Sequence, residues 1–132
     1  DIWIQLLAVS RPLLKEKGDS GKTNDKIKSM MVFIHEHYGE KISIPEIAAS
    51  AFSSERECFR IFHDCLHMTP VEYMKTYRLQ MACQMLANTR ETITYISHAC
   101  GLGSSSYFGK VFREYIGTTP LEYRRRWQNN DI

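Results

Sequence analysis

Two sets of side chains in this sequence, each at the i, i+3, i+4, i+7 spacing of one helix face, combine cations with small or flat neighbours. Arg56, Phe59, Arg60 and His63 form the first; Ser106, Gly109, Lys110 and Arg113 form the second. Guanidinium and ammonium groups in such company can bond base edges in a major groove and pair with phosphate. The same pattern also describes a solvated helix face. Metal chemistry is the other possibility: His63 and His67 lie four apart, His35 and His37 lie close, and zinc commonly takes His and Cys. Equally, these are exposed histidines at helix ends. The four cysteines, Cys58, Cys65, Cys83 and Cys100, contain no C-x-x-C pair. They suggest buried, inert thiols of a reducing cytoplasm rather than a disulfide framework or a zinc module. No Ser/His/Asp arrangement, glycine-rich phosphate loop or paired-carboxylate motif stands out, so neither an enzyme nor a cofactor or metal site is expected.

These faces need helices to carry them, and the chain reads as all-α. Opposite the first face, Cys58, Ile61, Phe62 and Cys65 make an apolar stripe; opposite the second stand Phe108, Val111, Phe112 and Tyr115. Upstream, Ile27, Met30, Met31, Ile34 and Tyr38 fall at helical spacing, and Gly39 ends that segment. A short helix is expected over about Ile44 to Ala51, with Pro45 in its first turn. Another starts after the N-cap Ser54 and runs to about Leu66. A long one begins at Pro70 behind Thr69 and reaches about Ala87. Further helices are expected at about 93–100, 105–116 and 120–128, giving about seven in all.

The pattern occurs twice. Ser54, Phe62, Thr69, Pro70, Glu72 and Tyr73 recur 50 residues later as Ser104, Phe112, Thr119, Pro120, Glu122 and Tyr123. Ile44 and Ile47 match Ile93 and Ile96 at 49, so the second copy has one extra residue in its turn. Two copies are too few for a solenoid. Each copy is a short helix, a tight turn and a longer helix, the outline of a helix-turn-helix.

With 132 residues, one compact domain or two very small ones are expected. Hydrophobic content of 43% with 24% charged residues excludes a disordered chain. No apolar run approaches the roughly 18 residues of a membrane helix, so no membrane partner is expected. Net charge is +2, unevenly spread: residues 1–74 carry 9 Lys/Arg against 11 Asp/Glu, and residues 75–132 carry 8 against 4. The basic second half, ending in Arg124, Arg125 and Arg126, is either a phosphate-attracting patch or a solvated helix end. The chain begins at Asp1 with no visible signal peptide, which suggests a piece of a longer protein. Apolar residues 1–15 then read as the tail of an upstream domain, and polar residues 16–23 as a linker. The expected organisation is tail and linker over 1–24, a first helix-turn-helix subdomain over 25–74, a linking helix over 70–87 and a second subdomain over 88–132.

The stretch Ile93-Thr94-Tyr95-Ile96-Ser97-His98-Ala99-Cys100-Gly101-Leu102-Gly103-Ser104-Ser105-Ser106-Tyr107-Phe108-Gly109-Lys110-Val111-Phe112 closely resembles the signature of the AraC/XylS family of bacterial transcription regulators. Gly117 to Arg124 continues the match, and Ser54 to Tyr73 is similar to the family's more variable first unit. The resemblance covers about residues 25–127. It implies two homeodomain-like helix-turn-helix units whose recognition helices enter successive major-groove segments of double-stranded DNA. The linking helix would set their separation near one turn of the duplex, roughly 34 Å. His67 stands where the first unit often ends its recognition helix with Gly, and Leu102 where the second signature usually has Phe.

Carried over by position, the resemblance puts base reading at Arg56, Phe59 and Arg60 in the first unit and at Ser105, Ser106, Gly109 and Lys110 in the second. Phe59 either touches a thymine methyl or belongs to the core. Gly109 offers no side chain, so the second helix mostly positions the complex. Phosphate contacts would fall to Ser54 and Ser104 at helix N-termini and to Arg78, Arg113 and Arg124. Glu55 and Glu57 suit the helix dipole but repel phosphate. The resemblance further implies a cytoplasmic promoter activator that contacts RNA polymerase, with a small-molecule effector acting through a sensor domain upstream. Two alternatives compete with it: a protein-interaction module that keeps the fold without DNA binding, and a metal-responsive regulator.

Overall fold

Helix starts follow hydrogen-bonding caps written into the sequence. In the computed structural model, which describes residues 21–129, the described residues form seven α-helices and no strand. They are α1 (Gly21–His37), α2 (Ile44–Ala49), α3 (Glu55–Leu66), α4 (Pro70–Asn88), α5 (Ile93–Ala99), α6 (Ser105–Ile116) and α7 (Pro120–Asn129). The Ser43 hydroxyl accepts from the Glu46 amide at 3.4 Å, while the Glu46 carboxylate takes the Ser43 amide at 2.9 Å. Thr69 with Glu72, and Thr119 with Glu122, build the same reciprocal box. Ser54 and Ser104 each accept a backbone amide at 3.1 Å, from Glu57 and Tyr107. Each cap is worth about 1 kcal/mol. The 50-residue repeat is thus a repeat of caps as well as of apolar positions.

The apolar tail over 1–15 lies outside the described residues. Helix α1 already includes residues 21–23, which were expected to belong to the linker. Helix α2 ends at Ala49 rather than Ala51, because residues 50–52 form the turn.

Packing divides the chain into two units. In the first, residues 42–75 join the helix of residues 21–37. Ile27, Met30 and Ile34 of α1, Ile47 of α2, and Cys58, Ile61 and Phe62 of α3 are wholly buried there. In the second, residues 38–41 join residues 76–129. Leu79 and Leu86 of α4, Ile96 of α5, and Phe108 and Phe112 of α6 form that core. Burying each large apolar side chain contributes about 1.5–3 kcal/mol. Tyr115, expected in the apolar stripe of α6, is instead exposed. It occupies the last turn of α6, where a tyrosine can rest its ring on the surface.

The two turns solve one problem differently. At the left-handed position of the turn, the second unit has Gly101 (φ 73°) and the first has Phe52 (φ 54°). The extra residue of the second turn is Gly103, also left-handed, whose carbonyl accepts the buried Ser97 hydroxyl. The ends of α3 and α6 differ likewise: His67 takes the left-handed cap at φ 57°, where Gly117 does so at 95°.

Within the second unit, two backbone segments meet where no side chain fits. A Cβ on Gly39 would lie 2.6 Å from the Ala99 carbonyl oxygen, and one on Gly101 would lie 2.5 Å from that of Tyr38. Neither carbonyl can swing away as a flexible side chain would. Gly39→Ala is expected to destabilise by about 1–3 kcal/mol. Urea unfolding should show a lower midpoint at unchanged slope; an unchanged midpoint would contradict this close approach.

Candidate nucleic-acid interface

Helix α3 is fixed about its axis by its apolar stripe, with Cys58, Ile61, Phe62 and Cys65 all at most 2% exposed. That places Arg56, Phe59, Arg60 and His63 on the solvent side. Phe59 is 43% exposed, so of its two readings the core one falls.

The cations of this face are not isolated. Lys26 of α1 donates to the Glu57 carboxylate at 3.0 Å. The Arg60 guanidinium lies 3.6 Å from that same oxygen and 3.5 Å from Asp64. The hydrogen bond from Lys26 chiefly holds the Glu57 carboxyl below its ordinary range, so it is ionised at neutral pH. Exposed pairs of this kind add little stability. They do set where the guanidinium points, and Lys26 offsets the negative charge that Glu57 would otherwise turn toward phosphate. Lys26 stands 31 residues from Glu57, so local spacing gave no sign of it. Glu57 and Asp64 are legible only as the i−3 and i+4 neighbours of Arg60.

Helix α6 is built alike. Phe108, Val111 and Phe112 are at most 3% exposed, and Ser105, Ser106, Lys110 and Arg113 face solvent. Gly109 lies between them, and a Cβ there would meet nothing within 4 Å. The outer face of α6 therefore has a gap one residue wide, bordered by a lysine and two serines. Each serine N-cap, Ser54 and Ser104, exposes the start of its helix, where amide hydrogens and the dipole favour an anion.

Arg78 and Arg124 have structural bonds that the sequence did not reveal. Arg78 donates to the carbonyls of Tyr38 (2.8 Å) and Glu40 (2.7 Å), just beyond the end of α1. Arg124 donates to those of Leu86 (3.2 Å) and Thr89 (3.3 Å) at the end of α4, and Gln128 reaches the same two at 3.0 and 2.8 Å. Gln128 is the 50-residue counterpart of Arg78. In both copies, a side chain from the helix following the recognition helix closes carbonyls at a helix end. Arg113 is exposed.

The His63 and His67 rings lie edge to face at 6.3 Å, and Asp64 sits 3.4 Å from His63 Nδ1. Among the described residues, no group of three or more His, Cys, Asp or Glu could hold a metal ion. All four cysteines are free and buried. Burial pushes the Cys58 and Cys100 thiols up to about 11, which keeps both protonated and unreactive at neutral pH.

Gly109 provides a test of the open face. A glycine inside a helix costs about 1 kcal/mol relative to alanine. With space around it, Gly109→Ala should raise stability by about that amount in thermal or urea unfolding. Destabilisation would mean that the face is occupied.

The comparisons with known proteins agree with this geometry. A family model described as a helix-turn-helix domain matches residues 47–126. The uncharacterized HTH-type transcriptional regulator YdeC of Bacillus subtilis is 32% identical over 124 residues, covering 94% of this chain and 42% of the relative. The HTH-type transcriptional activator RhaS of Escherichia fergusonii is 27% identical over 124 residues, covering 94% of this chain and 44% of the relative. The chain thus spans less than half the length of either relative. The crystal structure of a transcriptional regulator with an AraC-type DNA-binding domain, from Chromobacterium violaceum, superimposes with a TM-score of 0.76 at 29% identity. That match covers 83% of this chain and 98% of the other. Fold, duplicated recognition helices and relatives agree: the chain belongs to the AraC/XylS family of transcriptional regulators and is its DNA-binding domain.

Proposed function

We propose that this domain reads promoter DNA through Arg56, Phe59 and Arg60 on α3 and through Ser105, Ser106, Gly109 and Lys110 on α6. One observation carries the reading: on both helices the face opposite the buried stripe is mostly exposed and carries a cation at the equivalent positions of Arg60 and Lys110. Arg56 and Arg60 each suit the paired acceptors of a guanine edge, worth about 1–3 kcal/mol of discrimination. The Phe59 ring suits a thymine methyl. Helix α6 contributes less to sequence choice and more to placement, since Gly109 brings the backbone close without a side chain. Phosphates are held at the N-termini capped by Ser54 and Ser104 and by Arg113. Arg78 and Arg124 add those N–H groups that their carbonyl bonds leave over.

The whole protein, in this reading, is a cytoplasmic promoter activator rather than an enzyme. It contacts RNA polymerase and answers a small molecule through a sensor upstream of residue 24. A relative named as a transcriptional activator supports the direction of control. Among the described residues, no helix is long and apolar enough to cross a membrane.

Arg56→Ala combined with Lys110→Ala should weaken binding to a cognate promoter fragment about tenfold or more and flatten its salt dependence. Unchanged affinity and slope would favour a protein-interaction module instead. Glu57→Gln should act in the opposite sense. With Lys26 and Arg60 released, binding to unrelated duplex should strengthen and its salt slope steepen by up to about one. The ratio of specific to nonspecific affinity should fall; a ratio that rises would contradict the bracing of Arg60.

A further inference from the structure

Lys26 lies on α1, ahead of residues 47–126 matched by the family model, yet its ammonium is 3.0 Å from the Glu57 carboxylate on α3. Its own neighbours fix that reach. Ile27, Met30 and Ile34 are wholly buried, so α1 cannot roll, and the Lys26 side chain is only 30% exposed. Glu57 in turn stands three residues before Arg60 and Asp64 four after it, at 3.6 and 3.5 Å from its guanidinium. Lys26, Glu57, Arg60 and Asp64 thus alternate in charge. The series begins in the core packing of α1 and ends on the outer face of α3.

The second copy lacks both inner members. Fifty residues on, Thr76 stands in the place of Lys26 and Tyr107 in that of Glu57, while Lys110 replaces Arg60. The lysine and the carboxylate occur together in the copy with an arginine and are absent together from the other. A free arginine side chain samples many rotamers and pairs with phosphate as readily as with a base. Carboxylates on either side narrow that choice. Glu57 is itself on a flexible stem, so it can aim a guanidinium only where something else holds it. We propose that Lys26 is a positioning residue for sequence recognition, holding Glu57 so that Glu57 aims Arg60 at a base. The inference rests on the reading that Arg60 contacts a base. It brings α1 into recognition without giving Lys26 any contact with DNA.

The test uses the 132-residue chain, the duplex it selects from a random pool, and versions of that duplex with each strongly specified guanine changed to adenine. Arg60→Ala identifies the guanine whose preference it erases. If it erases none, the base reading fails and this inference with it. At that guanine, Lys26→Met should lower the ratio of guanine to adenine affinity about two- to fivefold, the range of an exposed ion pair. Lys26→Arg, which keeps the charge, should preserve the ratio. In a Glu57→Gln background, Lys26→Met should leave the ratio where Glu57→Gln alone puts it, because its effect passes through the carboxylate. A direct phosphate contact or a merely structural role would instead weaken both duplexes alike at unchanged ratio. That result, with the preference still erased by Arg60→Ala, would overturn the role of Lys26 and leave the base reading standing. A Lys26→Met effect on the ratio that adds in full to that of Glu57→Gln would overturn it too.

Discussion

The roll of α3 and α6 about their own axes is the constraint on which the interface depends. Each helix has one stripe that is almost completely buried: Cys58, Ile61, Phe62 and Cys65 on α3, and Phe108, Val111 and Phe112 on α6. Turning either helix by one residue would expose a phenylalanine and press a guanidinium or ammonium toward an apolar interior. Burying an unpaired charge costs far more than these small cores gain from any one side chain. The outer faces are therefore fixed by what lies behind them, and the side chains on them need no packing of their own.

Duplication copied the frame without copying every solution. Caps, prolines and the central phenylalanines recur at 50 residues, so both units form their helices in the same way. The helix-end clamp recurs in position but not in chemistry, as Arg78 in one copy and Gln128 in the other. At the left-handed positions, the second copy uses Gly101 and Gly117 where the first uses Phe52 and His67. The first copy thus tolerates backbone strain that the second avoids. The outer faces diverge too. Arginines, a phenylalanine and a brace of carboxylates stand on the outer face of α3, whereas a glycine and serines leave the outer face of α6 with fewer distinguishing groups.

Much of this was legible in the sequence because it is local. Helix starts follow caps, helix type follows periodicity, and the repeat reveals the two units. The failures have equally physical causes. Phe59 could not be assigned because it lies at the edge of the apolar arc, where spacing alone does not separate core from surface. Tyr115 occupies a stripe position but sits in the last turn of α6, where it is exposed. Lys26 with Glu57, and Arg78 with the carbonyls of Tyr38 and Glu40, join residues 31 to 40 positions apart. No window of local pattern contains them. Arg78 and Arg124, which the resemblance put among the phosphate contacts, donate to backbone carbonyls instead of standing free.

The central claim is that Arg60, held on the open side of α3 between Glu57 and Asp64, reads a base. Selection of binding sites from random duplexes, run in parallel on the unaltered domain and on Arg60→Ala, tests it most directly. The account predicts a motif with a strongly specified guanine that becomes degenerate in the variant while the other positions keep their preferences. Identical motifs from both proteins, or no enrichment with the unaltered domain, would contradict it.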